Sequence, residues 1–384
     1  MEKELNVVYI GADKFPRGAA TSKRRRYMVD YMNRHGIQSH VLVTRCAQTK
    51  SENDKDGNYG LCDYHDICAL FGTSLSQYYK AGKKWLKEWK DEHKTNILIF
   101  PTILDIIDYP FFSYAKKLGY KVIFDQVETS YRAKGTKTSF KSRLHIWLNE
   151  FVAKRAYSKC DGCFVISEAL KCQNEEAYPK MPLGLLPNST PILQKTKKTS
   201  FDEIPTILYA GTYAPKDGVE YLIKAFLKVL KEGYNCKLLL TGKGKAEDMK
   251  VLDLIKDNPH AEYLGRVSDE KLNEVLLNSD ILTMTRVNSK FANFGFPFKV
   301  SEYLATGNVV LATKVSDIEQ YLTHLENAYL VSPENINEIA DGIKYLLDNQ
   351  GKALKMGEKG LRIAKDSFGI ENVGHTFVNF LQSI

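Results

Sequence analysis

Residues 206–219 read TILYAGTYAPKDGV, an apolar and β-branched segment followed by a glycine, turn-forming residues and the start of a helical pattern. Such a run predicts a buried strand, a loop and a helix. The same order recurs along the 384 residues, a length that suits two domains. We therefore predict an α/β protein built on parallel sheets.

Two series of predicted strands flank an irregular, proline-rich stretch, residues 181–199, which we interpret as a linker. The first series is Val7–Ile10, His40–Thr44, Ile97–Phe100, Val122–Phe124 and Cys163–Ile166, and the second is Ile207–Ala210, Lys237–Thr241, Ile281–Thr285, Val309–Ala312 and Tyr329–Val331. We predict doubly wound domains at 1–190 and 191–365, facing a cleft, and a final helix at 366–384 that packs towards the first domain. Ligands of such sheets bind beyond the carboxyl ends of the strands.

The composition is that of an ordinary globular protein, with 43% hydrophobic and 26% charged residues. It excludes a largely disordered chain and a multispan membrane protein. The amino-terminal residues show no signal-peptide pattern, and the seven cysteines are irregularly spaced, so we expect a cytoplasmic protein with reduced thiols. A redox role for Cys160 and Cys163 is the alternative.

Positive charge is concentrated in residues 1–193, which carry a net charge of +9 against −1 in the remainder. Anionic partners suit such a surface, but no nucleic-acid-binding signature is present.

Trp85, Leu86 and Trp89 lie at helical spacing among several lysines. Either they contact the inner face of an anionic membrane, or they pack on the sheet of their own domain, and both interpretations are open. Lys23–Arg26 lie on the helix that follows the first strand and its glycine loop. Either the N–H groups at the start of this helix bind an anion, or the helix covers the sheet and these residues form its solvated basic face.

Several common functional motifs are incomplete or absent in this sequence. Gly242-Lys243-Gly244 starts like a dinucleotide fingerprint but has Glu247 where the third glycine belongs. The acidic stretch 54–58 lacks the glycine of a calcium loop and is interpreted as an exposed loop. No hydrolase motif and no metal-ligand set is apparent, so we predict no metal.

Five motifs follow one another in the second half: Lys216-Asp217-Gly218-Val219, Gly242-Lys243-Gly244, Leu264-Gly265-Arg266-Val267, Ser279-Asp280, and Pro297-x-Lys299-x-x-Glu302 continuing to Gly307. In this order they resemble the retaining glycosyltransferases with two Rossmann-like domains, the GT-B fold of the glycosyltransferase family 4 (group 1) type. The resemblance covers essentially the whole chain. It implies transfer of a sugar from a UDP- or GDP-linked donor to a saccharide or lipid-linked saccharide in cell-surface polysaccharide synthesis, without a cofactor.

A nucleoside diphosphate leaving group requires fixed donors and cations. Lys216 is our first candidate for the catalytic cation, and the resemblance assigns Glu302 to the ribose hydroxyls. We expect Pro297 to be the first residue of a helix whose N–H groups, with Lys299, hold the diphosphate. The predicted donor-binding residues are Gly211, Thr212, Lys216, Gly242, Arg266, Val267, Arg286, Phe296, Pro297, Phe298, Lys299 and Glu302. Alternatively, Lys216 is a solvated loop charge, and Lys299 and Glu302 form a helix-surface pair.

The chain departs from the family pattern at Phe294, Thr212 and Val127, where the family carries Glu, Arg and His. Arg286 or Lys290 could replace the missing arginine. For the acceptor we predict Gly18, Ala19, Asp125 and Glu128, the last two also as catalytic candidates. These departures keep a second function open, that of a non-catalytic nucleotide-sugar-binding assembly protein on the same fold.

Overall fold

The computed structural model describes residues 4–11, 14–18, 20–44, 56–101, 106–128, 140–193 and 198–384, apart from the side chains of residues 140–146 and 291. The chain divides into two compact units. The first comprises Met1–Pro187 with Val373–Ile384, and the second comprises Asn188–Asn372.

The first unit contains an eight-stranded sheet among its described residues, ordered β3-β4-β2-β1-β5-β6-β7-β8, with the β3–β4 pair antiparallel and the other pairs parallel. The strands are β1 (Leu5–Gly11), β2 (Gln38–Val43), β3 (Asp56–Tyr59), β4 (Cys62–Asp66), β5 (Thr95–Pro101), β6 (Lys121–Gln126), β7 (Gly162–Val165) and β8 (Leu183–Leu185). The helices are α1 (Ala20–Arg34), α2 (Cys68–Thr73), α3 (Leu75–Glu88), α4 (Tyr109–Leu118), α5 (Phe140–Tyr157) and α6 (Glu168–Ala177).

The second unit contains a six-stranded parallel sheet ordered β11-β10-β9-β12-β13-β14 in the part of the chain that is described. Its strands are β9 (Thr206–Thr212), β10 (Lys237–Lys243), β11 (Ala261–Tyr263), β12 (Ile281–Met284), β13 (Val309–Thr313) and β14 (Tyr329–Val331). Its helices are α7 (Val219–Lys231), α8 (Ala246–Met249), α9 (Asp269–Asn278), α10 (Lys290–Phe294), α11 (Phe298–Leu304), α12 (Ile318–Tyr321), α13 (Ile336–Asp348) and α14 (Gln350–Ile363); α15 (Ile370–Ser383) ends the chain.

Both faces of the second sheet are covered. The successive residues Ile207 and Leu208 of β9 point to opposite faces, and both are fully buried. One face packs against α7 and α13 through Phe226 and Ile343, among other side chains. The predicted α/β class with two parallel-sheet domains is thus confirmed.

The unit boundaries differ slightly from the predicted ones at 190/191 and 365/366. Part of the predicted linker, Leu183–Leu185, pairs with β7 as β8, so the first unit extends to Pro187 without a break. At the other end, Phe377 of α15 stacks near Phe164 and Tyr9, with ring centroids 5.1 Å and 6.3 Å away. These contacts place Val373–Ile384 with the first unit.

One local prediction in the first unit, for the acidic stretch, was wrong. The described part of the acidic stretch, Asp56–Asn58, belongs to a β-hairpin at the sheet edge rather than to a loop. Its backbone pairs with β4, and Asp56 Oδ1 also accepts from Asp66 N at 3.1 Å. The composition of the stretch suggested a turn because Asp and Asn are uncommon in strands.

The aromatic side chains of α3 pack on their own domain. Trp89 is 8% exposed and stacks on His40 at 4.8 Å, and Trp85 stacks on His65 at 3.6 Å. Both rings therefore pack within their own unit, as the second of the two interpretations predicts. Among the described residues, no helix combines the length and apolarity that crossing a bilayer requires.

Candidate active site

The strand order of the second unit places β9 at its centre, with β10 on one side and β12 on the other. The chain reverses its winding direction between β9 and β12, and ligands of such sheets bind at this switch point. The loops that follow the two strands are tied together there. Val287 N donates to Lys216 O at 3.0 Å, and Thr285 Oγ1 donates to Gly218 O at 3.1 Å.

Two predicted glycines allow close approach at this edge. Gly242 has φ +125°, and a Cβ added there would lie 1.7 Å from Gly211 O. Gly211 has φ +153°, and its added Cβ would lie 2.6 Å from Lys299 Nζ. A side chain at either position would displace backbone or the lysine, so both glycines shape the site.

Lys299 points to the end of β9 from α11. Its Nζ donates to Tyr209 OH at 2.9 Å and lies 4.0 Å from the centre of the Tyr209 ring. The pKa of Lys299 is lowered to about 8, mainly by burial. The charges of Arg286 and Lys216 also lower it, and those of Asp217 and Glu302 oppose them. The surface-pair alternative does not describe Lys299, because its ammonium is turned towards the strand.

Arg286 follows β12 and takes part in the same cluster. Burial lowers the pKa of its guanidinium, and the charge of Asp217 opposes that effect. Arg286 therefore supplies positive charge where Thr212 supplies none. Lys290, the other predicted substitute, begins α10 with an exposed side chain.

Lys216 lies at the border of this cluster. Its side chain is 35% exposed, its Nζ is 3.9 Å from Asp217 Oδ1, and it lines a groove of about 790 Å³ together with Tyr213, Lys250 and Val287. That volume is within the range of small-molecule sites. The next residue, Asp217, is the one that is buried, a distinction that the sequence pattern did not reveal.

The segment around α11 differs from the prediction in two respects. Pro297 is the N-cap of the helix and not its first helical residue, because its ψ of 110° is extended. Phe296 is 5% exposed and packs on Tyr321 and Phe368, so its side chain belongs to the core instead of lining a donor site.

Other predicted donor residues lie at the same end of the sheet. Gly242 N donates to Gly265 O at 2.9 Å, which places the exposed Arg266 and the partly buried Val267 beside the end of β10. Glu302 and Phe298 are partly buried on α11. This helix is held to β9 by Tyr303, whose hydroxyl accepts from Ala210 N and donates to Ala210 O, both at 3.0 Å.

In the first unit, Asp125 is engaged in an ion pair that the sequence did not suggest. The Arg24 guanidinium donates to both carboxylate oxygens, with Nε–Oδ2 and Nη2–Oδ1 distances of 2.9 Å. It also donates to the carbonyls of Pro187 and Leu186, at 2.8 Å and 2.9 Å. Arg24 and Arg25 are 3% and 5% exposed, so the interpretation as a solvated basic face was wrong for both.

The predicted acceptor residues of the first unit do not share one environment. Asp125 and Val127 line a small cavity of about 20 Å³ at the carboxyl ends of β1 and β5, the switch point of this sheet. Gly18 and Glu128 are exposed, and Ala19 lies outside the described residues. Within the described part of the chain, no group of three His, Cys, Asp or Glu side chains is arranged as a metal site.

Residues 192–362 match the family model described as Glycosyl transferases group 1. The matched residues lie within the second unit, Asn188–Asn372. An uncharacterized glycosyltransferase of Haemophilus influenzae is 26% identical over 224 residues, which are 57% of this chain and 60% of that protein. The chain spans between 45% and 61% of the lengths of three such curated relatives.

Solved structures share the fold over nearly the full chain. Sucrose-phosphate synthase from Thermosynechococcus elongatus has a TM-score of 0.76 at 14% identity, covering 98% of each chain. Anabaena Alr3699/HepE, solved in complex with UDP, has a TM-score of 0.72 at 12% identity, covering 99% of this chain and 100% of that one. The predicted GT-B type of fold is confirmed by this likeness.

Proposed function

We propose that this protein is a retaining glycosyltransferase of the family 4 type that takes its sugar from a nucleoside diphosphate sugar. The observation that carries the proposal is the cluster of Lys299, Arg286 and Lys216 at the switch point of the second unit. Cations and free N–H groups held there suit a diphosphate. A related fold, Alr3699/HepE, was solved with UDP, which makes a UDP-linked sugar the first donor to test.

In the proposed reaction, the bond between the anomeric carbon and the diphosphate oxygen breaks, and the acceptor hydroxyl oxygen bonds to that carbon from the same face. The hydroxyl proton passes to the departing phosphate oxygen. Lys299 and Arg286 stabilise the charge that develops on the diphosphate, and Glu302 accepts hydrogen bonds from the ribose hydroxyls. The route depends on orientation and charge stabilisation and requires no protein nucleophile.

We propose a saccharide or lipid-linked saccharide as the acceptor, in cell-surface polysaccharide synthesis at the cytoplasmic side of the membrane. The positive charge of residues 1–193 supports an anionic acceptor or surface. Asp125 and Glu128 are the proposed contacts of a sugar hydroxyl of the acceptor. Asp125 would have to act while paired with Arg24.

The proposal is tested by incubating the protein with a panel of UDP- and GDP-linked sugars and measuring release of nucleoside diphosphate, with and without saccharide acceptors. Release that an acceptor accelerates supports a transferase. Binding of a nucleotide sugar without accelerated release would instead support the non-catalytic alternative that Phe294, Thr212 and Val127 leave open.

Glu302→Ala should weaken UDP binding by about 1.5–3 kcal/mol, the value of hydrogen bonds to a charged group. The fold should persist because Glu302 is only partly buried. Isothermal titration calorimetry gives the affinity and thermal unfolding checks the fold, with the exposed Glu203→Ala as a control. Unchanged affinity in the Glu302 variant would remove this residue from the site.

The affinity for UDP should fall as the pH rises above about 8. Lys299 has a pKa of about 8 in the free protein, and a bound diphosphate favours its charged form. Binding above that pH must therefore take up a proton, and affinity should drop by up to about tenfold per pH unit. Calorimetry in buffers of different ionisation enthalpy would detect the proton uptake; a flat profile between pH 7 and 9.5 contradicts the prediction.

A further inference from the structure

Asp217 is a buried carboxylate in the second unit to which neither the motifs nor the proposed reaction assign a role. It is 4% exposed, in a short 3-10 turn, Pro215–Asp217, between β9 and α7. Its Oδ2 accepts from Thr212 Oγ1 at 2.6 Å. A buried carboxylate is costly unless it is hydrogen-bonded and paired with positive charge.

A chain of hydrogen bonds connects this carboxylate with Lys299. Lys299 Nζ donates to Tyr209 OH, and that hydroxyl donates to the carbonyl oxygen of Thr212. The Thr212 side chain donates in turn to Asp217. Residues of β9, α11 and the 3-10 turn are therefore held in one arrangement, although they lie up to 90 positions apart.

Three cations act on the same region, Lys216 from the turn, Arg286 from the segment after β12 and Lys299 from α11. Asp217 raises the pKa values of Arg286 and Lys299, but burial lowers both by a larger amount. The other groups acting on Lys299 are Glu302, which supports its charge, and Arg286 and Lys216, which oppose it. Without a nearby anion, the cations would repel one another in a poorly solvated site.

We propose that Asp217 is a positioning residue of the donor site, the resident counter-ion that keeps Arg286 and Lys299 together and charged where the diphosphate is to bind. This inference rests on the proposed function. Asp217 acts through the cations and through Thr212, not through a contact with the sugar. Asp217 and Glu302 supply two negative charges against the three cations, and the diphosphate would neutralise the remaining excess of positive charge.

The test measures the titration of Lys299 in the ligand-free protein by NMR of ¹³C-labelled lysines, with the signal assigned through Lys299→Arg. The wild-type signal should titrate near pH 8. In Asp217→Asn, which keeps the shape and an acceptor for Thr212, the midpoint should move to lower pH by about one unit. Asp217→Glu should restore it, and Asp257→Asn, an exposed control in the same unit, should leave it in place.

An unchanged Lys299 midpoint in folded Asp217→Asn overturns the proposal. If that variant does not fold, Asp217→Ser decides in its place, because it also removes the negative charge: a lower midpoint supports the proposal and an unchanged one overturns it.

The pH profile of UDP binding in the same variants separates this proposal from the proposed function. If the Lys299 midpoint shifts in Asp217→Asn but the protein binds neither UDP nor GDP, the counter-ion role of Asp217 is retained and the donor site is rejected. If UDP affinity falls at high pH in the same way in wild type and in Asp217→Asn, the donor site is retained and the counter-ion role of Asp217 is rejected.

Discussion

Lys299→Met should lower the turnover number of sugar transfer by about 10²–10³-fold, the usual cost of removing one preorganised group from developing negative charge. Methionine has a similar length and suits the partly buried surroundings, so the fold should persist. The loss should exceed the loss of UDP affinity, since the benefit of the cation grows as the diphosphate departs. Steady-state kinetics with the active donor, together with UDP affinity, measure the two quantities.

Lys256→Met provides the matched control, because Lys256 is an exposed lysine of the same unit. It should retain the wild-type turnover number. Lys299→Arg keeps a positive charge and should retain more activity than Lys299→Met. Its affinity for UDP should no longer fall above about pH 8. A folded Lys299→Met with wild-type turnover would show that this lysine does not act on the leaving group.

Arg24→Met should destabilise the first unit by up to about 3–5 kcal/mol, the cost of leaving one partner of a buried ion pair uncompensated, because Arg24 is buried and Asp125 partly so. The substitution removes every donor that Arg24 directs at Asp125, Leu186 and Pro187. The three tryptophans of the chain all lie in this unit, so their fluorescence reports its unfolding in urea. Arg17→Met, at an exposed arginine of the same unit, should change stability by less than about 0.5 kcal/mol.

A double variant tests the mechanism of that loss. Arg24→Met with Asp125→Leu removes both charges, and apolar replacement of a buried pair is often tolerated. The double variant should therefore be more stable than Arg24→Met alone. If the double variant is as unstable as Arg24→Met, or loses the sum of the two single losses, then the carbonyls of Leu186 and Pro187, and not the unpaired carboxylate, account for the cost.

The prediction of strands succeeded where the signal is local. Val7–Ile10 and Ile207–Ala210 are buried on both faces, and a short β-branched run between turn residues is sufficient to mark such a strand. The two-domain organisation followed from the repetition of that signal. Asp56–Asn58 was missed because its pairing with β4, and not its composition, makes it a strand.

Side-chain environments were predicted less well, because they depend on partners distant in sequence. Arg24 lies in a run of basic residues that resembles a solvated face, and its partner Asp125 is 101 positions away. Trp85 and Trp89 had two interpretations until His65 and His40 were placed against them. The roles of Lys216 and Asp217 depended on how a 3-10 turn places two adjacent residues.

By itself the sequence determined the alternation of strands and helices, the two parallel sheets and the set of polar residues that follow the strands of the second unit, because hydrophobic periodicity and turn chemistry act over a few neighbouring residues. Only the tertiary structure decided which of those charges are buried and paired. The free energy of a charge depends on its desolvation and on the groups around it, and those groups come from strands and helices far apart in the chain.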